Sequence, residues 1–391
     1  MIKIPGGVSK MSFMFGIPAF TFFGEDSSKQ VGDLIKSLNC KKAFCVYDKG
    51  VKAAGIVDNL IEIIKGAGVE VMEYDGVLPN PPDTIVEEAA QIARGANVDI
   101  VVAIGGGSSI DCAKAINILL SNPSPINQYD GPNKVQNPGK PLIAIPTTAG
   151  TSSEVTRVTV ITDTKQIKKM VILGQNVGAT YALIDPLLTL GLPPAITAAT
   201  GMDALTHAIE SYTSVTASVA TEINSLKAIE IIVNNLPEAV KNGSNKEARS
   251  NMMLGCLLAG IAFCNADLGL VHAIAHPLSA HCGLAHGDAN AAMLPYVVSY
   301  NAAVVPEKTK DIAEAMGIDV EGKSAAEAAD MAFKAIKELS KEIGIRTLKD
   351  LGVPRTIFNT IAEDALKEGA LMFNPRKPSK GEILALLEQA F

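Results

Sequence analysis

The first half of the chain alternates short β-branched and aliphatic runs with amphipathic stretches of helical period, and the second half does not. Lys42–Tyr47, Val69–Tyr74, Asp99–Ile104 and Pro141–Ile145 read as strands; between them 50–66, 83–96 and 109–121 read as helices. Strands separated by helices need crossover connections, which yield a parallel sheet covered on both faces. After Asp185-Pro186 the pattern changes, and from Pro193 onward helical period runs almost without interruption, with no convincing strand. A chain of 391 residues is long enough for two cores. The expected organisation is therefore an α/β domain over 1–186 followed by an all-helical domain over 187–391.

Composition narrows the function by exclusion. The net charge is −7 with acidic and basic residues interspersed, so no basic face invites nucleic acid or anionic lipid. The N-terminal MIKIPGGVSKMSF lacks a long apolar segment with a small-residue cleavage site, and the apolar runs are too short and interrupted to span a bilayer. A cytoplasmic location is expected. The six cysteines form no CxxC pair and suit a reducing compartment as small buried apolar residues. The apolar segment Phe13–Phe20 reads as an interface strand or as core, and the expected assembly is a homodimer or larger homo-oligomer.

Two places in the first domain carry chemistry. In Ile104-Gly-Gly-Gly-Ser-Ser-Ile-Asp111 a buried strand runs into three glycines and a helix starting at Ser108 or Ser109. Gly105, Gly106 and Gly107 let a diphosphate approach the backbone, and the helix start supplies free N–H groups and a positive dipole end. The spacing is not GxGxxG, so it supports phosphate binding and no more; an ordinary tight turn with Ser as N-cap has the same sequence. The second place is Asp48, at the carboxyl end of an early strand. A carboxylate there accepts hydrogen bonds from the ribose hydroxyls of an adenosine and repels a 2′-phosphate, which favours NAD over NADP. An Asp-x-Gly turn is the plainer reading. Ile145–Thr156 is dense in hydroxyls and either lines the same cleft or caps a helix.

Histidine is used five times, and four of the five fall within Gly269–Asn290: His272, His276, His281 and His286. The fifth, His207, lies one helical turn after Asp203, so the two share a face and can grip one ion. His272 and His276 have the same spacing. An isolated Asp-x3-His pair is usually a surface hydrogen bond, but a histidine-rich segment beside it points to a metal site.

GGGSSIDCAK, PTTAGTSSEVT, ATGMDALTHAIE, and GLVHAIAHPL followed by AHG together resemble the iron-containing (group III) alcohol dehydrogenases, in the family's order over nearly the whole chain. The resemblance implies an N-terminal dinucleotide-binding domain, a helical C-terminal domain of the dehydroquinate synthase-like fold, and a cleft holding NAD(P) and a divalent metal, most often Fe²⁺. It implies Asp203, His207, His272 and His286 as metal ligands, with His276 beside the substrate without being a ligand. Gly105, Gly106, Gly107 and Ser108 match the pyrophosphate loop, Thr147 and Thr148 cofactor contacts, and Asp48 the ribose-reading acid of NAD-preferring members.

Three neutral imidazoles and one carboxylate leave open positions on a first-row ion, Fe²⁺ with Zn²⁺ or Mn²⁺ as alternatives, where a substrate oxygen is polarised. His276 is positioned in this reading to relay a proton. The expected reaction is hydride transfer between NAD(H) and a small primary alcohol or aldehyde. Asp267, Ser279 and His281-Cys282 depart from the family pattern and make the region more polar, which favours a hydroxyaldehyde, a semialdehyde or a sulfonated aldehyde unless residues 279–282 only pack. The alternatives are a glycerol-dehydrogenase-like polyol oxidoreductase and a dehydroquinate-synthase-like lyase, which hold zinc with fewer protein ligands; the full Asp/His/His/His set argues against both.

Overall fold

The structure, a computed structural model, describes residues 13–391. Residues 1–12, which carry most of the segment read as lacking a cleavable leader, lie outside the described residues. The chain forms two compact units. One is Ile17–Leu192; the other is Pro193–Phe391 with the short segment ending at Gly16, whose N–H donates to Asn265 Oδ1 at 2.9 Å.

The first unit holds nine strands: β1 (Phe20–Phe23), β2 (Lys42–Asp48), β3 (Glu70–Val77), β4 (Ile100–Gly105), β5 (Gly131–Pro132), β6 (Leu142–Pro146), β7 (Val158–Asp163), β8 (Lys168–Leu173) and β9 (Tyr181–Ile184). Its helices are α1 (Val31–Ser37), α2 (Lys49–Ala53), α3 (Ile56–Gly66), α4 (Asp83–Gly95) and α5 (Gly107–Ser121). Six strands form one sheet in the order β1-β9-β6-β4-β2-β3, with every pair parallel. β4 and β6 are buried along their whole length, which is why they are unbroken aliphatic runs rather than alternating ones. One face packs Ala43, Cys45, Ile100, Val102 and Ile104 against Val57, Leu60, Ile61 and Ile64 of α3. The alternate residues Phe44, Val46, Val101 and Ala103 point to the opposite face and are also fully buried, so both faces are covered.

Several details differ from expectation. The helix expected over 50–66 is two helices, because Gly55 takes a left-handed conformation (φ +76°) between α2 and α3. Helix α5 starts at Gly107 with Gly106 as N-cap, so neither Ser108 nor Ser109 caps it. β7 and β8 pair antiparallel in a small second sheet with β5, a hairpin that the alternating Val-Thr-Val-Ile run could have signalled. Phe13, Met14 and Phe20 are 50%, 76% and 71% exposed and only Ala19 of the apolar Phe13–Phe20 segment is buried, so most of the segment is not core; β1, which begins at its last residue, forms an edge of the sheet.

The second unit is helical: α6 (Pro194–Thr213), α7 (Val219–Lys241), α8 (Lys246–Ala266), α9 (Leu270–Cys282), α10 (His286–Ala302), α11 (Pro306–Ala315), α12 (Ala325–Glu342), α13 (Phe358–Ala365) and α14 (Lys380–Ala390). α6, α7 and α8 pack on one another, and α10 lies against α6 and α9. α8 and α9 meet at a bend of 101°. α9 ends at Gly283 in the left-handed region (φ +68°), its N–H donating to Ser279 O at 3.1 Å, so that α10 can begin three residues later at His286. No single helix among the described residues is long and apolar enough to cross a membrane. All six cysteines are free, and burial pushes the thiols of Cys45 and Cys112 up to about 12.

Candidate active site

Asp203, His207, His272 and His286 direct one potential ligand atom each into a common volume, all four within 4.8 Å of one another. Asp203 and His207 stand one turn apart on α6, His272 on the first turn of α9 and His286 at the start of α10. Asp203 Oδ1 lies 3.7 Å from His207 Nε2, 4.0 Å from His272 Nε2 and 3.8 Å from His286 Nε2. These separations are too long for hydrogen bonds and are close to what ligands about 2 Å from a shared centre require. Burial, reinforced by neighbouring imidazoles, holds His272 well below 6.5; burial depresses His286 likewise, partly opposed by Asp203. Both are therefore neutral, the form in which imidazole donates a lone pair to a metal.

The supports of this group were not read from the sequence. Glu210, seven residues after Asp203 on the same face of α6, accepts the Val271 N–H (2.6 Å) and sits 2.6 Å from His272 Nδ1. Burial pushes its carboxyl up to about 7, with the N–H groups of Gly269 and Val271 working against that shift. Asn290 Nδ2 donates to Asp203 Oδ1 at 2.6 Å and lies 3.1 Å from both His272 Nε2 and His286 Nε2, while its buried Oδ1 has no partner. An orphaned amide oxygen beside four convergent donors fits a site built round a cation. The Asp203-x3-His207-x2-Glu210 spacing could have revealed Glu210; nothing in the spacing points to Asn290 more than to its neighbours.

His276 and His281 divide differently. His276 stacks on His286 with ring centroids 5.5 Å apart, yet stands outside the ligand group, its Nδ1 2.9 Å from Glu368 Oε2. His281 Nε2 pairs with Asp364 Oδ2 of α13 at 2.9 Å, so this ring serves packing between α9 and α13. Ser279 is buried with an unpartnered hydroxyl. The half-buried Cys282 thiol is raised by burial.

In the first unit, β6, β4 and β2 are neighbours, and their carboxyl ends bring the expected cofactor residues together. A Cβ on Gly105 would fall 2.5 Å from Ser109 Oγ, one on Gly106 3.2 Å from Thr148, and one on Gly107 2.5 Å from Thr151. Side chains would fill this cradle, which fits a group that must approach the backbone. Thr147 is buried, its N–H donating to Gly105 O at 3.0 Å, while Thr148 and Ser108 are part-exposed. Asp48 caps α2, with Oδ1 accepting the N–H of Gly50 (2.8 Å) and Val51 (3.1 Å) and Oδ2 the Ser109 hydroxyl (3.0 Å). The plain Asp-x-Gly turn thus exists, and it also holds the carboxylate beside the glycines. The hydroxyl-rich loop divides as well. Buried Lys114 donates to Ser153 Oγ (2.9 Å), Thr156 Oγ1 (3.2 Å) and Val158 O (2.7 Å), and Asp111 accepts from the Ser153 hydroxyl and the Val160 N–H. Ser153 and Thr156 therefore lock the loop to α5, while Thr148 and Thr151 border the glycines.

Two family profiles cover most of the chain: iron-containing alcohol dehydrogenase over residues 18–186, and the C-terminal part of the Fe-containing alcohol dehydrogenase family over 197–391. The chain belongs to the iron-containing alcohol dehydrogenase family. It is a metal-dependent alcohol/aldehyde oxidoreductase of the family, whose cofactors are NAD and Fe²⁺. The 1,3-propanediol dehydrogenase of Klebsiella pneumoniae is 46% identical over 98% of this chain and 100% of that protein. The lactaldehyde reductase of Escherichia coli strain K12 is 40% identical over 95% and 97%. A crystal structure of a 1,3-propanediol oxidoreductase superposes with a TM-score of 0.95 at 46% identity, covering 97% of this dehydrogenase and all of that chain.

Proposed function

We propose that this dehydrogenase interconverts a small hydroxylated aldehyde and the corresponding diol with NAD(H), using a divalent cation held by Asp203, His207, His272 and His286. The convergence of these four groups, with His276 stacked alongside but outside them, is the observation that carries the reading. When bound, the cation supplies polarisation of a substrate oxygen and NAD supplies the hydride-exchanging ring. The chain's own part is positional and protonic. Glu368 accepts the Nδ1–H of His276, which leaves Nε2 as the basic nitrogen, so His276 takes the proton released by the alcohol and returns it in reduction.

In this reading residues 1–186 bind the dinucleotide and residues 187–391 the metal and substrate. Gly105, Gly106, Gly107 and Ser108 receive the pyrophosphate, Thr147 and Thr148 flank it, and the fixed carboxylate of Asp48 reads the ribose and disfavours NADP. A neutral hydroxyl is preferred over an anionic tail because the Glu368 carboxylate already adds negative charge beside His276. Relatives that act on propanediol and lactaldehyde support the same substrate class. The exposed apolar edge of β1, with Phe20 71% exposed, supports a homodimer or larger homo-oligomer. Acidic charge and six free cysteines support a cytoplasmic setting.

The test is anaerobic. The protein is stripped of metal, reloaded with Fe²⁺, Zn²⁺ or Mn²⁺, and followed by NADH and NADPH oxidation over 3-hydroxypropanal, lactaldehyde, a sulfonated aldehyde, a semialdehyde and butanal. Metal-dependent oxidation of NADH, fastest with a hydroxyaldehyde, is expected. Equal turnover of butanal would overturn the substrate assignment.

A further inference from the structure

We propose that Glu210 is the positioning residue of the metal site: one carboxylate both anchors the start of α9 and selects the His272 tautomer that leaves Nε2 free for the cation. The inference rests on His272 being a ligand, as assigned above. The two oxygens of Glu210 divide the work. Oε1 accepts the Val271 N–H at 2.6 Å, an amide of the first helical turn that has no partner inside the helix. Oε2 lies 2.6 Å from His272 Nδ1. Ionised, as at the pH 8 of the test below, Glu210 only accepts, so Nδ1 carries the proton and Nε2 keeps its lone pair on the side facing Asp203.

Because Glu210 rides on α6 together with Asp203 and His207, it ties the first turn of α9 in register with two of the other ligands. The close approach depends on Gly269, where a Cβ would stand 3.0 Å from Glu210 Oε1 and 2.8 Å from Asn374 Oδ1. Asn374 takes the adjacent amide, Leu270 N–H at 3.1 Å, and exchanges 2.9 Å hydrogen bonds with Asn301 of α10. The start of α9 is thus held by side chains from outside the helix, and one of them is shared with the metal site.

Glu210→Gln separates anchoring from tautomer selection. It keeps the volume and an oxygen for the Val271 N–H, but sets an amide donor against Nδ1, which must then become an acceptor. On the full-length chain, competition with a chromophoric chelator is expected to show Zn²⁺ held about 10–100-fold more weakly than in the wild type, with little change in the melting temperature of the metal-free protein. A second measurement needs no variant: ¹⁵N-histidine NMR of the metal-free wild type at pH 8 is expected to show His272 as the Nδ1–H tautomer. Wild-type Zn²⁺ affinity in Glu210→Gln, or an Nε2–H tautomer in the wild type, would overturn the proposal. His272→Ala tells the two readings apart. If it leaves Zn²⁺ affinity unchanged, the ligand assignment fails; if it weakens binding while Glu210→Gln does not, only the positioning role fails.

Discussion

His276 and His286 lie ring against ring, and each ring has a different partner. His286 faces Asp203 and Asn290, whereas His276 is turned by Glu368. His276→Ala should therefore keep its metal content while kcat falls by roughly 10²–10⁴-fold. Elemental analysis and steady-state kinetics check both halves. Glu154 carries no such role, and burial pushes its carboxyl up to about 7 from an ordinary 4.5. A carboxyl raised in the folded state binds more protons there than in the unfolded chain between those values. Its stabilising contribution is complete below pH 4.5 and is lost as pH rises through about 7. Glu154→Gln should remove this dependence and be the more stable protein at pH 8 by on the order of 2–3 kcal/mol, with a smaller gap at pH 5, as read from urea unfolding. At this scale the sequence was legible wherever spacing carried the information. Asp203 and His207 share a turn of α6, and Glu210 continues the same face. Glu368 lies far along the chain from His276, and only tertiary packing brings the two together.

Elements aim these side chains, and glycines permit their approach. Gly287 follows His286, and a Cβ there would fall 2.6 Å from the backbone oxygen of Ala199 on α6. Backbone cannot yield as a side chain does, so Gly287→Ala should move the start of α10 away from α6 and weaken Zn²⁺ binding by at least 10-fold, read by the chelator competition. Gly105 holds φ +148°, a region open essentially to glycine alone. Gly105→Ala should raise the Kd for NADH and lower stability by about 1–3 kcal/mol, as seen by fluorescence titration and calorimetry. The strand-turn-helix about these glycines was legible, because a buried run meeting three glycines and then helical period allows few other folds. The start of α5 was not, since Ser108 and Ser109 look like caps while Gly106 does the capping. The break at Gly55 was hidden for a related reason: helical period continues on both sides of the left-handed residue.

Across the whole molecule, the four convergent groups sit on α6, α9 and α10, and no disulfide ties these helices to one another. A cation that binds only the folded state adds stability by mass action, about 2.7 kcal/mol at a free concentration 100 times its Kd. Stripping the metal should lower the melting temperature in proportion to ln[metal], and calorimetry at several Zn²⁺ concentrations tests this. The architecture as a whole was legible because strand-helix alternation and unbroken helical period are long-range patterns. The β7–β8 hairpin interrupts that alternation with an antiparallel pair outside the main sheet, and the four-residue edge strand β1 is too brief to establish a period. The lock formed by Asp111, Lys114, Ser153 and Thr156 fastens the hydroxyl-rich loop to α5 by buried hydrogen bonds. The loop is thus a rigid rim rather than a hinged flap, and the glycine cradle beside it is already shaped before any ligand arrives.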